Sequence, residues 1–157
     1  MCGIVGLYLK NPAYRPRLGE LFTPMLIAMS ERGPDSAGFA IYGDEVPEGT
    51  SKLTLRSAQQ NYNWAALAAT LRQQLNAELE FFTNSEVAVF KVASAAEKVA
   101  SVIRHHAPEL SLLSAGQSIE ILKALGLPAH IAKQFNLNTM QGSHIIGHTR
   151  MATESAV

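Results

Sequence analysis

A single cysteine stands second in the chain, in the run Met1-Cys2-Gly3-Ile4-Val5-Gly6. Removal of an initiator methionine is favoured ahead of a small side chain such as this one, and it would leave a thiol and a free α-amine on the same residue. Both groups exchange protons close to neutral pH. The amine can therefore take the thiol's proton as general base and later hand a proton to a leaving group. Two other segments carry residue types that such a nucleophile can use. Arg32-Gly33-Pro34-Asp35-Ser36-Ala37-Gly38 is a turn holding one cation and one carboxylate, and it feeds directly into an apolar run. Gly147-His148-Thr149-Arg150-Met151-Ala152-Thr153 sets an arginine between two threonines at the end of another. Taken singly, each residue has an ordinary reading: an inert cysteine, a surface arginine, a turn aspartate, a capping threonine.

The elements that must position these residues can be read from periodicity. Gly3 to Leu9, closed by Asn11-Pro12, is a buried strand with Cys2 at its head, a rigid mount for a reactive atom. Leu18, Leu21, Phe22, Met25, Leu26 and Met29 recur at helical spacing from Pro16 to near Gly33, and Pro24 should kink that helix or start it. Ser36 to Tyr42 and Lys52 to Arg56 read as strands, Trp64 to Leu79 as a helix, Glu86 to Val92 as a strand and Ala95 to His106 as a helix. Ser118 to Leu125 and Ala129 to Phe135 are expected as short helices either side of Gly126-Leu127-Pro128, and Ser143 to Thr149 as a strand. This order implies an α+β fold with layers of both types.

Bulk properties narrow the function. The 157 residues suffice for one core, and 47% apolar against 17% charged residues is a globular composition. Thirteen basic and thirteen acidic side chains cancel, so no net field attracts nucleic acid or an anionic membrane. One cysteine permits no internal disulfide. No secretory leader is recognisable, and no apolar run approaches the ~18 residues that a spanning helix needs. A cytoplasmic protein is expected. His144 and His148 lie four apart on an expected strand, a separation above about 12 Å, which is too long for one metal ion. No metal site is expected.

Together the three segments resemble the class II glutamine amidotransferases of the N-terminal nucleophile hydrolase superfamily. The pattern of that family is an opening Cys-Gly-Ile-x-Gly, then Arg-Gly-x-Asp-Ser-x-Gly, then His-Thr-Arg-x-Ala-Thr, and all three occur here in that order. The resemblance implies a four-layer αββα sandwich and a glutaminase reaction without a cofactor. Cys2 would attack the side-chain amide of glutamine, form a γ-glutamyl thioester and release ammonia to a synthase subunit or domain. By position, Arg150 matches the arginine that clamps the substrate's α-carboxylate and Thr153 a substrate-contacting threonine. Arg32 matches an arginine that fixes the nucleophile's loop, and Asp35 would order the same turn.

The chain also departs from that pattern. Met151, Glu154 and Ser155 stand where many relatives carry tryptophan and His-Gly, so the pocket wall beside the substrate should differ. The family's oxyanion hole comes from an Asn-Gly pair downstream of the arginine motif. This sequence ends at Val157, seven residues after Arg150, and contains no Asn-Gly dipeptide. The resemblance therefore implies the N-terminal part of a longer or split domain, incomplete at its C-terminus. Residues 1–157 are expected to belong to that domain, with an α/β insertion over roughly 44–138. The insertion is similar to that of amidotransferase subunits in glutamate-synthase-like or N-methylglutamate-synthase-like complexes. Two other readings stay open on the residues alone: an N-terminal nucleophile hydrolase of a different amide, and a non-catalytic module that docks on a synthase.

Overall fold

The computed structural model describes residues 2–151. The chain divides into two compact units, one formed by the described residues up to Gly43 and from Ile121 onward, the other by Asp44–Glu120.

In the first unit, β1 (Gly3–Tyr8), β2 (Ser36–Tyr42), β7 (Ile119–Leu125) and β8 (His144–Arg150) form a four-stranded sheet in the order β1-β8-β2-β7. The strand arriving last in sequence is thus inserted beside the first, and β8 pairs antiparallel with both β1 and β2. Alternation along β8 turns Ile145, Gly147 and Thr149 inward and leaves Ile146, His148 and Arg150 on the other face. The inward face is covered by α1 (Leu18–Ile27), α4 (Pro128–Gln134) and a 3-10 turn at Leu137–Thr139. Leu18, Phe22, Leu26, Ile131, Phe135 and Leu137 from these segments are all inaccessible to solvent, and the Phe135 ring meets Phe39 of β2 edge-on at 6.2 Å. On the opposite face Ile4, Tyr8 and Ile146 are 74%, 66% and 50% exposed.

In the second unit, β3 (Ser51–Arg56), β4 (Leu79–Asn84), β5 (Val87–Val92) and β6 (Ser111–Gly116) form a sheet in the order β4-β5-β3-β6, with antiparallel pairing throughout. Helices α2 (Trp64–Leu75) and α3 (Ala96–His106) bury Leu67, Leu71, Val99 and Ile103 against Leu53, Leu55 and Phe90 of the sheet. Lys52 is 3% exposed, and its ammonium is neutralised by Glu120 at 3.0 Å. The same nitrogen approaches the carbonyls of Asp44 and Ser118 at 3.5 Å, so one cation gathers both ends of this unit.

Five expectations are corrected. The strand at Gly3–Tyr8 is not buried throughout, since Ile4 and Tyr8 face outward and are exposed. Ser118–Leu125 is not a helix: Ile119–Leu125 is β7, because a place beside β2 outweighs the helix-forming Leu, Lys and Ala in that stretch. The helix expected from Trp64 to Leu79 stops at Leu75, where Asn76 takes the left-handed conformation (φ 46°, ψ 47°), and Leu79 already begins a strand. The segment from Pro16 to Gly33 is broken into 3-10 turns at Pro12–Arg17 and Ser30–Arg32 flanking α1, which runs through Pro24. The inserted unit also ends at Glu120 rather than near residue 138, since β7 joins the first sheet and α4 packs on α1. No helix among the described residues is long and apolar enough to cross a membrane.

Candidate active site

The head of β1, the turn before β2 and the last residues of β8 meet in one corner of the first unit. The β1–β8 register pairs Gly3 with Thr149, and continuing it by one residue sets Cys2 opposite Arg150. Strand alternation then puts the Cys2 and Arg150 side chains on the same face of the sheet, and both residues are solvent-exposed. The fold thus carries Cys2 and Arg150 to the same end of the β1–β8 pair, although 148 positions separate them in the sequence.

Close packing without side chains makes this corner possible. An added Cβ on Gly3 would lie 2.9 Å from Thr149 Oγ1, 3.2 Å from Met29 Sδ and 3.4 Å from Arg32 Cβ. Gly33 is buried directly against the Thr149–Arg150 peptide, which any side chain there would strike. Gly3 and Gly33 are thus the points where β1 and the Arg32 turn fit against β8.

Hydrogen bonds hold the same three pieces. The Asp35 N–H donates to the Arg150 carbonyl at 3.1 Å, and the Asp35 carbonyl accepts from Gly126 N–H at 2.7 Å. Asp35 thus ties its turn to β8 through its backbone. Ser36 pairs with Arg150 at the start of β2. Thr149, absent from the residues to which the sequence assigned a role, has a fully buried hydroxyl that donates to the Met29 carbonyl at 3.2 Å. That carbonyl also accepts the Arg32 N–H at 3.0 Å. Inward parity within a strand of alternating burial was the sequence signal that could have singled Thr149 out.

Of the expected site residues, the fold gathers Cys2, Arg32 and Arg150; Thr153 lies outside the described residues. His144 and the α3 histidines are engaged elsewhere, while His148 shares the outward face of β8 with Arg150. His144 stacks on Tyr42 at 4.0 Å, and His105 and His106 close the last turn of α3 beside Arg104. Among the described residues no group of three or more His, Cys, Asp or Glu converges as metal ligands would. A cleft of about 540 Å³ lies in the inserted unit, between the Ser57–Tyr62 loop and the β4–β5 turn. None of the gathered residues lines it; its wall combines hydroxyl and amide side chains with Trp64 and the Glu86 carboxylate.

No family model matches the chain. It is 45% identical over 158 residues to the glutamine amidotransferase-like protein GlxB of Rhizobium meliloti (strain 1021), covering all of this chain and 52% of that protein. It is 27% identical over 165 residues to a Methanothermobacter thermautotrophicus (strain Delta H) protein named provisionally as a glutamine amidotransferase, covering all of this chain and 54% of that one. The chain is thus a homologue of glutamine amidotransferase-like proteins along its whole length, and it spans about half the length of the curated relatives it matches.

Proposed function

We propose that this chain carries the nucleophile of a class II glutamine amidotransferase. In this reading Met1 is removed and the α-amine of Cys2 takes the thiol proton. The sulfur adds to the side-chain carbonyl carbon of glutamine. The carbon–nitrogen bond then breaks as the α-ammonium returns a proton to the departing nitrogen, giving ammonia and a γ-glutamyl thioester. Water hydrolyses the thioester to glutamate, and the ammonia passes to a synthase partner. Arg150 holds the substrate's α-carboxylate in a bidentate grip. Arg32 steadies the turn behind the nucleophile, and Thr153 contacts the substrate.

One observation carries the reading: the Gly3–Thr149 register, with Gly33 against the Thr149–Arg150 peptide, brings a second-position cysteine beside an arginine. The similarity to amidotransferase-like proteins over the whole chain supports it. So does the exposed apolar face bearing Ile4, Tyr8 and Ile146, which suits burial under a second layer in an αββα sandwich. The curated relatives are about twice the length of this chain, so turnover is to be measured on the full-length protein.

Incubating the full-length protein with 6-diazo-5-oxo-L-norleucine, an electrophilic glutamine analogue, tests the proposal. Intact-mass analysis should show chains beginning at Cys2 and one adduct, mapped to that residue. Active protein that retains Met1, or full glutaminase turnover in Cys2→Ala, would end it.

A further inference from the structure

We propose that Thr149 is the positioning residue that sets where Cys2 stands, an inference that rests on Cys2 being the nucleophile. Its hydroxyl is completely buried and touches two partners of different origin. It donates to the Met29 carbonyl at 3.2 Å, and it forms the floor under Gly3, 2.9 Å from where a Cβ would be. The Met29 carbonyl also receives the Arg32 N–H at 3.0 Å, so the bond from Thr149 anchors the turn that bears Arg32. That turn forms the rest of the surface beneath Gly3, through Met29 Sδ and Arg32 Cβ. One hydroxyl therefore sets the spacing between the nucleophile's strand, the Arg32 turn and β8.

The strand bearing Thr149 is held independently of this hydroxyl. β8 is paired on both edges, with Gly3–Tyr8 on one side and Ser36–Tyr42 on the other. Removing the hydroxyl leaves β8 and its Arg150 in register and loosens the Met29 end of the turn, while the Asp35 N–H still ties its other end to the Arg150 carbonyl. Cys2 and Arg32 then lose their fixed relation while the carboxylate grip remains. The expected signature is a loss in kcat with KM preserved, since the interaction removed is one that aligns the reacting atoms. The Met29 carbonyl keeps its bond from Arg32, so no buried acceptor is orphaned.

The test compares Thr149→Val, which keeps the shape and removes the donor, with Thr149→Ser, which keeps the donor. Both are measured in the full-length protein for kcat, KM and the rate of Cys2 labelling by 6-diazo-5-oxo-L-norleucine. Thr149→Val should lower kcat and the labelling rate by about tenfold or more, with KM within about threefold of wild type. Thr149→Ser should recover most of both. A merely structural threonine would lower the melting temperature of both variants and leave kcat and labelling within about twofold, and that result overturns the proposal. Equal losses in the serine and valine variants would overturn it too. If the wild-type protein takes up no label at Cys2, the nucleophile assignment itself has failed, and the role of Thr149 falls with it.

Discussion

Gly3→Ala probes the corner where the three segments meet. The new Cβ would stand 2.9 Å from Thr149 Oγ1, closer than real Cβ atoms come to such a neighbour, and 3.2 Å from Met29 Sδ. The thioether can swing aside. The hydroxyl can escape only by rotating away from the Met29 carbonyl. Losing that bond costs about 1 kcal/mol, and inserting one carbon into a packed site costs about 1–3 kcal/mol. A destabilisation of about 2–4 kcal/mol is expected, which for a protein of this size lowers the melting temperature by roughly 4–16 °C. The source of the strain can be isolated by removing the obstacle. In a Gly3→Ala, Thr149→Ala double variant the clash is gone, so the double variant should be more stable than the sum of the single changes predicts, by about 1 kcal/mol or more. Urea denaturation of the four proteins measures the coupling. If Gly3→Ala costs under about 0.5 kcal/mol, or if the two changes are additive, the close packing of β1 on Thr149 does not hold and the argument built on it fails.

Lys52→Met should destabilise the inserted unit by about 3 kcal/mol, because it leaves the Glu120 carboxylate shielded from water without its cation; an unchanged urea midpoint would contradict this. Tyr62 donates to Glu109 at 3.0 Å, and burial, reinforced by that bond, pushes its phenol up to about 12. The neutral phenol is the favoured form. Its stabilising contribution is complete below about pH 10 and is lost as pH rises through about 12, so ultraviolet titration should show one late-ionising tyrosine that disappears in Tyr62→Phe. Arg150→Lys keeps the charge and loses the planar fork, so KM for glutamine should rise about tenfold while Cys2 still reacts with iodoacetamide at the wild-type rate; an unchanged KM would remove the carboxylate from Arg150.

Much of this protein could be read before any coordinates. Local pattern revealed β1, β2, β3, β5, α3, α4 and β8: β2 and β8 alternate in burial, α3 buries one face, and β5 is an apolar run buried on both sides. The three chemical segments were legible as well, since second-position cysteine, turn glycines and a strand-end arginine are local signatures. Two of the misreadings share one physical cause. Ile119–Leu125 has helix-compatible residues and becomes a strand only because β2 offers it an edge, and Leu79–Asn84 is a strand because β5 lies beside it. Pairing partners far along the chain are invisible to a local pattern. The same holds for the corner itself. Cys2 was named by its place behind the initiator methionine, and Arg32 and Arg150 by the resemblance to a family pattern. Only the insertion of β8 between β1 and β2 placed Cys2 across from Arg150 and put the Thr149 hydroxyl beneath Gly3, since antiparallel register is a property of the sheet and not of any one strand.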